Sequence, residues 1–255
     1  MPANHRLNAL VLLGLGLPIL VLLAYAPARA EEQGADRQWR LCNPKADQAL
    51  ALLREGNARF ATEAMLNPDE DMNRRRTLAA SGQHPFVSIL CCADSRVPPE
   101  ELFDQGLGTL FVARVAGNVA EPGEIATLEY GADHLGIPLI VVLGHTQCGA
   151  VTAVVTGEPA HGLLPELVKP IDRVFRAVSK ANPGATQAEL IDKTIEANIW
   201  DAIAELFTLS EVLREKARDG ALCIIGALCH IDSGKVDFLG PHPDEAALLR
   251  TQTDG

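Results

Sequence analysis

Two short motifs, Cys92-Ala93-Asp94-Ser95-Arg96 and His145-Thr146-Gln147-Cys148-Gly149, each come at the end of an apolar run, Phe86 to Leu90 in one case and Pro138 to Leu143 in the other. Runs of this length suit strands buried on both faces. As strands of one sheet they place both motifs at strand carboxyl ends, where open α/β sheets carry their sites. The pairing of motif and run therefore ties the chain to a parallel arrangement of these two segments.

The remaining pattern agrees with that arrangement. Leu110 to Val115 forms a further apolar run, closed by the turn Ala116-Gly117-Asn118. Apolar residues at helical spacing mark helices from Ala46 to Glu55, continuing toward Phe60, from Gly123 to Leu135 and from Ala150 to Val155, with a short one at Pro98 to Phe103. Leu163 to Asp219 reads as helical with breaks at Pro170, at Pro183-Gly184 and near Ser210, and residues 62 to 84 read as a loop. Two last strands, Ala221 to Leu228 and Lys235 to Leu239, flank Asp232-Ser233-Gly234, short enough for a hairpin. The expected fold is α/β, a mostly parallel central sheet of four to five strands with an antiparallel edge, flanked by helices.

The amino terminus stands apart from this pattern. Arg6 precedes an apolar stretch from Leu10 to Ala28, broken by Gly14, Gly16 and Pro18 and ending in Ala28-Arg29-Ala30. A basic start, an apolar middle and small residues at the end describe a secretory signal peptide. Residues 1–30 are therefore expected to be a leader and 31–255 a single domain, periplasmic or secreted. The competing reading is an uncleaved membrane anchor. Loss of Arg6 and Arg29, with no acid, takes the formal charge from −11 to −13. So acidic a surface repels phosphate backbones and argues against a nucleic-acid partner.

Six cysteines in an exported chain invite a disulfide framework, but their spacing does not favour one. Cys91 and Cys92 are adjacent, and Cys223 and Cys229 lie along one extended run, about 20 Å apart and out of disulfide reach. Cys91, Cys223 and Cys229 read as small buried hydrophobes. Cys42 is left as a free thiol or an intermolecular bridge.

Cys92, His145 and Cys148 form a set of two thiolates and one imidazole, which suits zinc. Four protein ligands make a structural site, whereas three leave a position for chemistry. Asp94 and Arg96 supply the next layer: a carboxylate held by a guanidinium stays ionised and can accept a hydrogen bond from a zinc-bound hydroxide. The same carboxylate could instead occupy the open position and close the site. Zinc with two thiolates and a neutral imidazole carries no net charge, so activity is expected to favour neutral to alkaline pH.

Cys92-Ala93-Asp94-Ser95-Arg96-Val97-Pro98-Pro99-Glu100 followed by His145-x-x-Cys148-Gly149 resembles the β-class carbonic anhydrases. Gly56-Asn57-Ala58-Arg59-Phe60, Leu110 to Asn118, Gly226-Ala227 and Ser233-Gly234-Lys235-Val236 extend the likeness from about Ala46 to Leu239. The resemblance implies a zinc lyase, one Zn2+ per subunit, that interconverts carbon dioxide and bicarbonate as a homodimer or homotetramer. By position it assigns Cys92, His145 and Cys148 to zinc and Asp94 with Arg96 to a catalytic dyad. It further assigns Gln83, acting across a dimer interface, Phe111, Tyr130 and the Gly149 amide to the substrate. Hydrolysis of carbon disulfide or carbonyl sulfide on the same fold, and a non-catalytic zinc protein with Asp94 on the metal, are the alternatives. His84, His134, His161, His230 and His242 are all open as proton carriers. The chain departs from the family pattern at Val115 and at Cys229-His230.

Overall fold

The computed structural model describes residues 41–250; the expected leader lies outside them. Five strands, β1 (Val87–Cys91), β2 (Leu110–Arg114), β3 (Leu139–His145), β4 (Cys223–Cys229) and β5 (Val236–Gly240), form one sheet in the order β2-β1-β3-β4-β5. The first four are parallel, and β5 closes one edge antiparallel to β4, across the expected hairpin. Every residue of β1 and β3 is buried, as continuous apolar runs in a doubly covered sheet require.

The helices are α1 (Pro44–Ala61), α2 (Met72–Ser81), α3 (Pro99–Leu102), α4 (Pro122–His134), α5 (Gly149–Thr156), α6 (Leu164–Ala181), α7 (Gln187–Leu209), α8 (Glu211–Arg218) and α9 (Glu245–Leu248). Ala49, Leu50 and Leu53 of α1 pack with Ile89, Val141 and Ile225 on one face of the sheet. Ile125 and Leu128 of α4, Ile199, Ile203 and Leu206 of α7 and Leu213 of α8 pack with Leu90, Val142 and Ile224 on the other. A third cluster joins Cys92 and Cys148 to Val151 of α5, Ile171 of α6 and Ile195 of α7.

Local chemistry explains where these helices start. Asn43 caps α1 by accepting from the Ala46 N–H at 2.8 Å, ahead of Pro44 in the first turn. Thr186 and Glu189 form a reciprocal capping box on α7. Within α1, Gly56 admits the Phe103 carbonyl to a distance no Cβ would allow. The buried Asn57 donates to Leu102 O at 3.1 Å and Gly234 O at 2.8 Å and accepts from the Val236 N–H at 2.8 Å. Gly56-Asn57 is thus a structural joint between α1, α3 and the β4–β5 hairpin.

Three sequence expectations are corrected. The segment expected as loop contains α2, capped by Asp71 and with no buried residue; a helix with no apolar stripe leaves no periodicity to read. Pro170 does not break α6 but lies inside it. The single hydrogen bond it forfeits is offset by burial of Ile171 and Val174 on the continuing face. Finally, Cys223 is neither free nor merely a hydrophobe, and Cys42 is neither a free thiol nor an intermolecular bridge: the two form a disulfide, with Cα atoms 5.8 Å apart. Spacing within 223–229 could not show this, because the partner comes from the segment ahead of α1. Asn43 Nδ2 donates to Gly220 O at 3.1 Å and keeps that segment against the start of β4. Cys91 and Cys229 are free and buried, as expected.

Candidate active site

Cys92 follows the last residue of β1, His145 is the last residue of β3, and Cys148 immediately precedes α5. Because β1 and β3 are adjacent and parallel, both motifs emerge at the same end of the sheet. The turn between His145 and Cys148 passes through Gln147 in a left-handed conformation (φ 56°), which brings the second sulfur back toward the imidazole. The ligand atoms of all three residues lie within 4.8 Å of one another, and all three side chains are buried.

His145 shows how the cluster is poised. Its Nδ1 lies 2.9 Å from the Thr146 carbonyl, which can only accept, so Nδ1 carries the proton and Nε2 keeps its lone pair. That buried Nε2 has no hydrogen-bond partner. An unmatched buried acceptor is costly, and a metal ion is the partner that this tautomer suits. The two thiols lean on one another: hydrogen bonding with Cys148 draws the Cys92 thiol well below its ordinary value, against the effect of burial. The same contact pushes Cys148 up. Two sulfurs and one nitrogen are a donor set that zinc takes with a fourth position left over. The residues present therefore fit a metal ion.

Asp94 is engaged on both oxygens. Oδ1 accepts from the Arg96 Nε at 2.9 Å and from the Arg96 backbone N–H at 3.0 Å, and Oδ2 accepts from Nη2 at 2.8 Å. Hydrogen bonding from Arg96, ahead of the opposing burial, holds the carboxyl well below the ordinary carboxylate range. Its Oδ2 also lies 4.0 Å from His145 Nε2, so the carboxylate faces the ligand cluster while Arg96 holds it.

Sequence reasoning passed over the residues that shape this loop. Arg114, at the end of β2, donates to Cys92 O at 3.0 Å and to Asp94 O at 2.6 Å. The Thr146 N–H donates to Cys229 O at 2.9 Å and Thr146 Oγ1 accepts from the Ile231 N–H at 3.0 Å, fixing the carbonyl that orients His145. Arg114 stood in a strand and Thr146 inside a motif, and neither carries a signal of its own at the level of spacing.

Gly149 opens α5, where first-turn N–H groups lack intrahelical partners, and is exposed beside Cys148. Gln83, Phe111 and Tyr130 lie elsewhere. Gln83 is exposed ahead of β1, Phe111 sits opposite Ser88 in the β1–β2 register, and Tyr130 of α4 packs on Phe111 with ring centroids 6.0 Å apart. Phe111 and Tyr130 thus meet near the amino end of the edge strand β2, and Gln83 precedes the amino end of its neighbour β1, whereas the ligands lie at the carboxyl ends of β1 and β3. Of the histidines, His134 stacks on Tyr130 at 5.0 Å, and His242 meets Trp200 edge-on at 5.7 Å. His230 follows the last residue of β4 and pairs with Asp237 at 2.8 Å, while His84 and His161 are exposed.

This geometry recurs in known proteins. The family model described as carbonic anhydrase matches residues 87–236. Carbonic anhydrase 2 of Mycobacterium tuberculosis is 36% identical over 197 residues, covering 76% of this chain and 91% of that protein. Among solved structures, a β-carbonic anhydrase of Aspergillus fumigatus superposes with a TM-score of 0.63 at 26% identity, over 79% of this chain and 95% of that one. One of two tetrameric β-carbonic anhydrases of Sordaria macrospora gives 0.61 at 25% identity, over 76% and 98%. A matched family model across the sheet and both motifs, close relatives over most of their length, and a shared architecture lead to one conclusion: the chain belongs to the carbonic anhydrase family, in its β class.

Proposed function

We propose that the chain hydrates carbon dioxide reversibly to bicarbonate with one zinc per subunit, and that it does so outside the cytoplasm as a homodimer or an assembly of dimers. The observation that carries this reading is the Arg96-held carboxylate of Asp94 facing an unpartnered imidazole nitrogen between two buried sulfurs.

Cys92, His145 and Cys148 would hold the zinc. When bound, zinc supplies Lewis-acid activation of water. Asp94, kept ionised by Arg96, has acceptor lone pairs but no proton to give. It orients the nucleophile by accepting its hydrogen and leaves the lone pair free for the carbon of the substrate. The Gly149 N–H would receive an oxygen of bicarbonate.

Gln83, Phe111 and Tyr130 act on the substrate bound by a second copy. The edge position of β2, the separation of these residues from their own ligands and the tetrameric relative all support an oligomer. Export is supported by the amino-terminal pattern and by the Cys42–Cys223 disulfide, since such bonds persist in oxidising compartments.

Stopped-flow hydration by the zinc-loaded protein tests the main claim. Activity is expected from neutral to alkaline pH, falling about 100-fold in Asp94→Ala with zinc retained. No hydration in that range would overturn it. N-terminal sequencing of exported protein is expected to begin near Glu31, and an intact Met1 would overturn cleavage.

A further inference from the structure

Cys92 receives a hydrogen bond from the turn after β2, and that turn is itself held by α7. The Gly117 N–H donates to Cys92 Sγ at 3.3 Å. Gly117 is left-handed (φ 78°, ψ 13°), and a Cβ there would meet Ile171 Cδ1 at 2.5 Å, so the turn passes this point only as glycine. Its carbonyl accepts from Asn198 Nδ2 at 2.7 Å. The N–H and the carbonyl belong to successive peptide planes about one Cα, and anchoring one plane limits how the other can turn.

Asn198 is an odd occupant of its site. It lies within α7, 2% exposed, on the face that buries Ile195, Ile199 and Ala202. A buried amide among such neighbours is unfavourable unless it is hydrogen-bonded. Its bond to Gly117 O reaches from the helix to the loop that touches the sulfur.

We propose that Asn198 is a positioning residue for the metal: by holding the Gly117 carbonyl it keeps the Gly117 N–H on the Cys92 thiolate. An N–H on a ligating thiolate withdraws electron density from the sulfur and fixes its direction, and outer-layer bonds of this kind set metal affinity. The inference rests on the reading of Cys92 as a metal ligand. It does not depend on the substrate.

Cobalt-loaded wild type, Asn198→Leu, Asn198→Ser and Ile203→Val would be compared by thiolate-to-cobalt charge-transfer absorption and by the rate of metal loss to a chelator. In Asn198→Leu the band is expected to move to lower energy and metal to leave at least about tenfold faster. Ile203→Val, which trims α7 where it packs with Val142 and Ile224 and not with the cysteine ligands, is expected to lower Tm and leave both readings unchanged. An unchanged band and loss rate in Asn198→Leu would overturn the proposal, as would Ile203→Val reproducing both shifts. If Asn198→Leu does not fold, Asn198→Ser decides by the same readings, because its hydroxyl is too short to reach the carbonyl. Wild-type protein that takes up no cobalt would overturn the ligand assignment itself, before any variant is compared.

Discussion

At the carboxyl end of the sheet, Cys92, His145 and Cys148 are each at most 4% exposed, whereas toward the amino end Gln83 is exposed and Tyr130 shows 48% of its surface. The first group is tied in from several directions, by Arg114 and Gly117 around Cys92 and by Thr146 beside His145. The second stands beside β2, a strand with one neighbour among the described residues. One polypeptide thus gathers the three candidate metal ligands by itself, while on the reading proposed above the groups assigned to the substrate serve a second copy. The division follows from parallel topology: residues at opposite ends of β1 are separated by four strand intervals, about 13 Å.

The largest effect is expected from breaking the complete end. Cys148→Ser should lose its zinc, measured by atomic emission, and its hydration activity should fall to the uncatalysed level; a variant that kept both would show that the third ligand is elsewhere. Breaking the open end should cost less. Gln83→Ala is expected to cost one hydrogen bond of about 1 kcal/mol, or about fivefold in kcat/KM, with zinc retained. Mixing subunits sharpens this prediction: Cys148→Ser combined with Gln83→Ala should recover sites with a full complement, and absence of recovery would mean that Gln83 does not act between copies.

The disulfide also lies at the amino end, where Cys223 opens β4. Replacing Cys42 and Cys223 with alanine should lower stability by about 3 kcal/mol and leave kcat unchanged. Thermal unfolding with and without reductant measures it, and a shared Tm would remove the tether from the account.

Asp104 serves neither end and gives a baseline. Burial works to raise its pKa, but Arg59 and the Leu66 and Asn67 amides outweigh that and hold it below the ordinary value. A lowered folded pKa means that the stabilisation is present above the unfolded value, about 3.9, and is lost as pH falls through the folded one. Asp104→Asn should therefore cost about 2 kcal/mol in urea unfolding at pH 7, with the difference shrinking below about pH 4. An equal cost at pH 3 would contradict this assignment.

What could be read in the chain beforehand followed from period and from motif. Leu139 to His145 announces a buried strand because every side chain is apolar or a ligand, and Cys92 and His145 announce the corner because each ends such a run. The residues that escaped notice act through backbone atoms. Asn198 looks like any polar residue on a helix until its partner, the Gly117 carbonyl, is seen 2.7 Å away. Helix α2 escaped for the opposite reason, since nothing in it is buried. Cys42 needed a neighbour 181 residues distant, which no spacing rule supplies.

The pairing of β1 with β3 has a consequence for how the protein matures. Ser88 through Cys91 lie in register with Ile140 through Leu143, all of them buried, so the ligands are brought together by backbone ladders that require no metal. The approach of Cys92 to His145 is therefore a property of the sheet, set by strand pairing before any side chain is asked to bind.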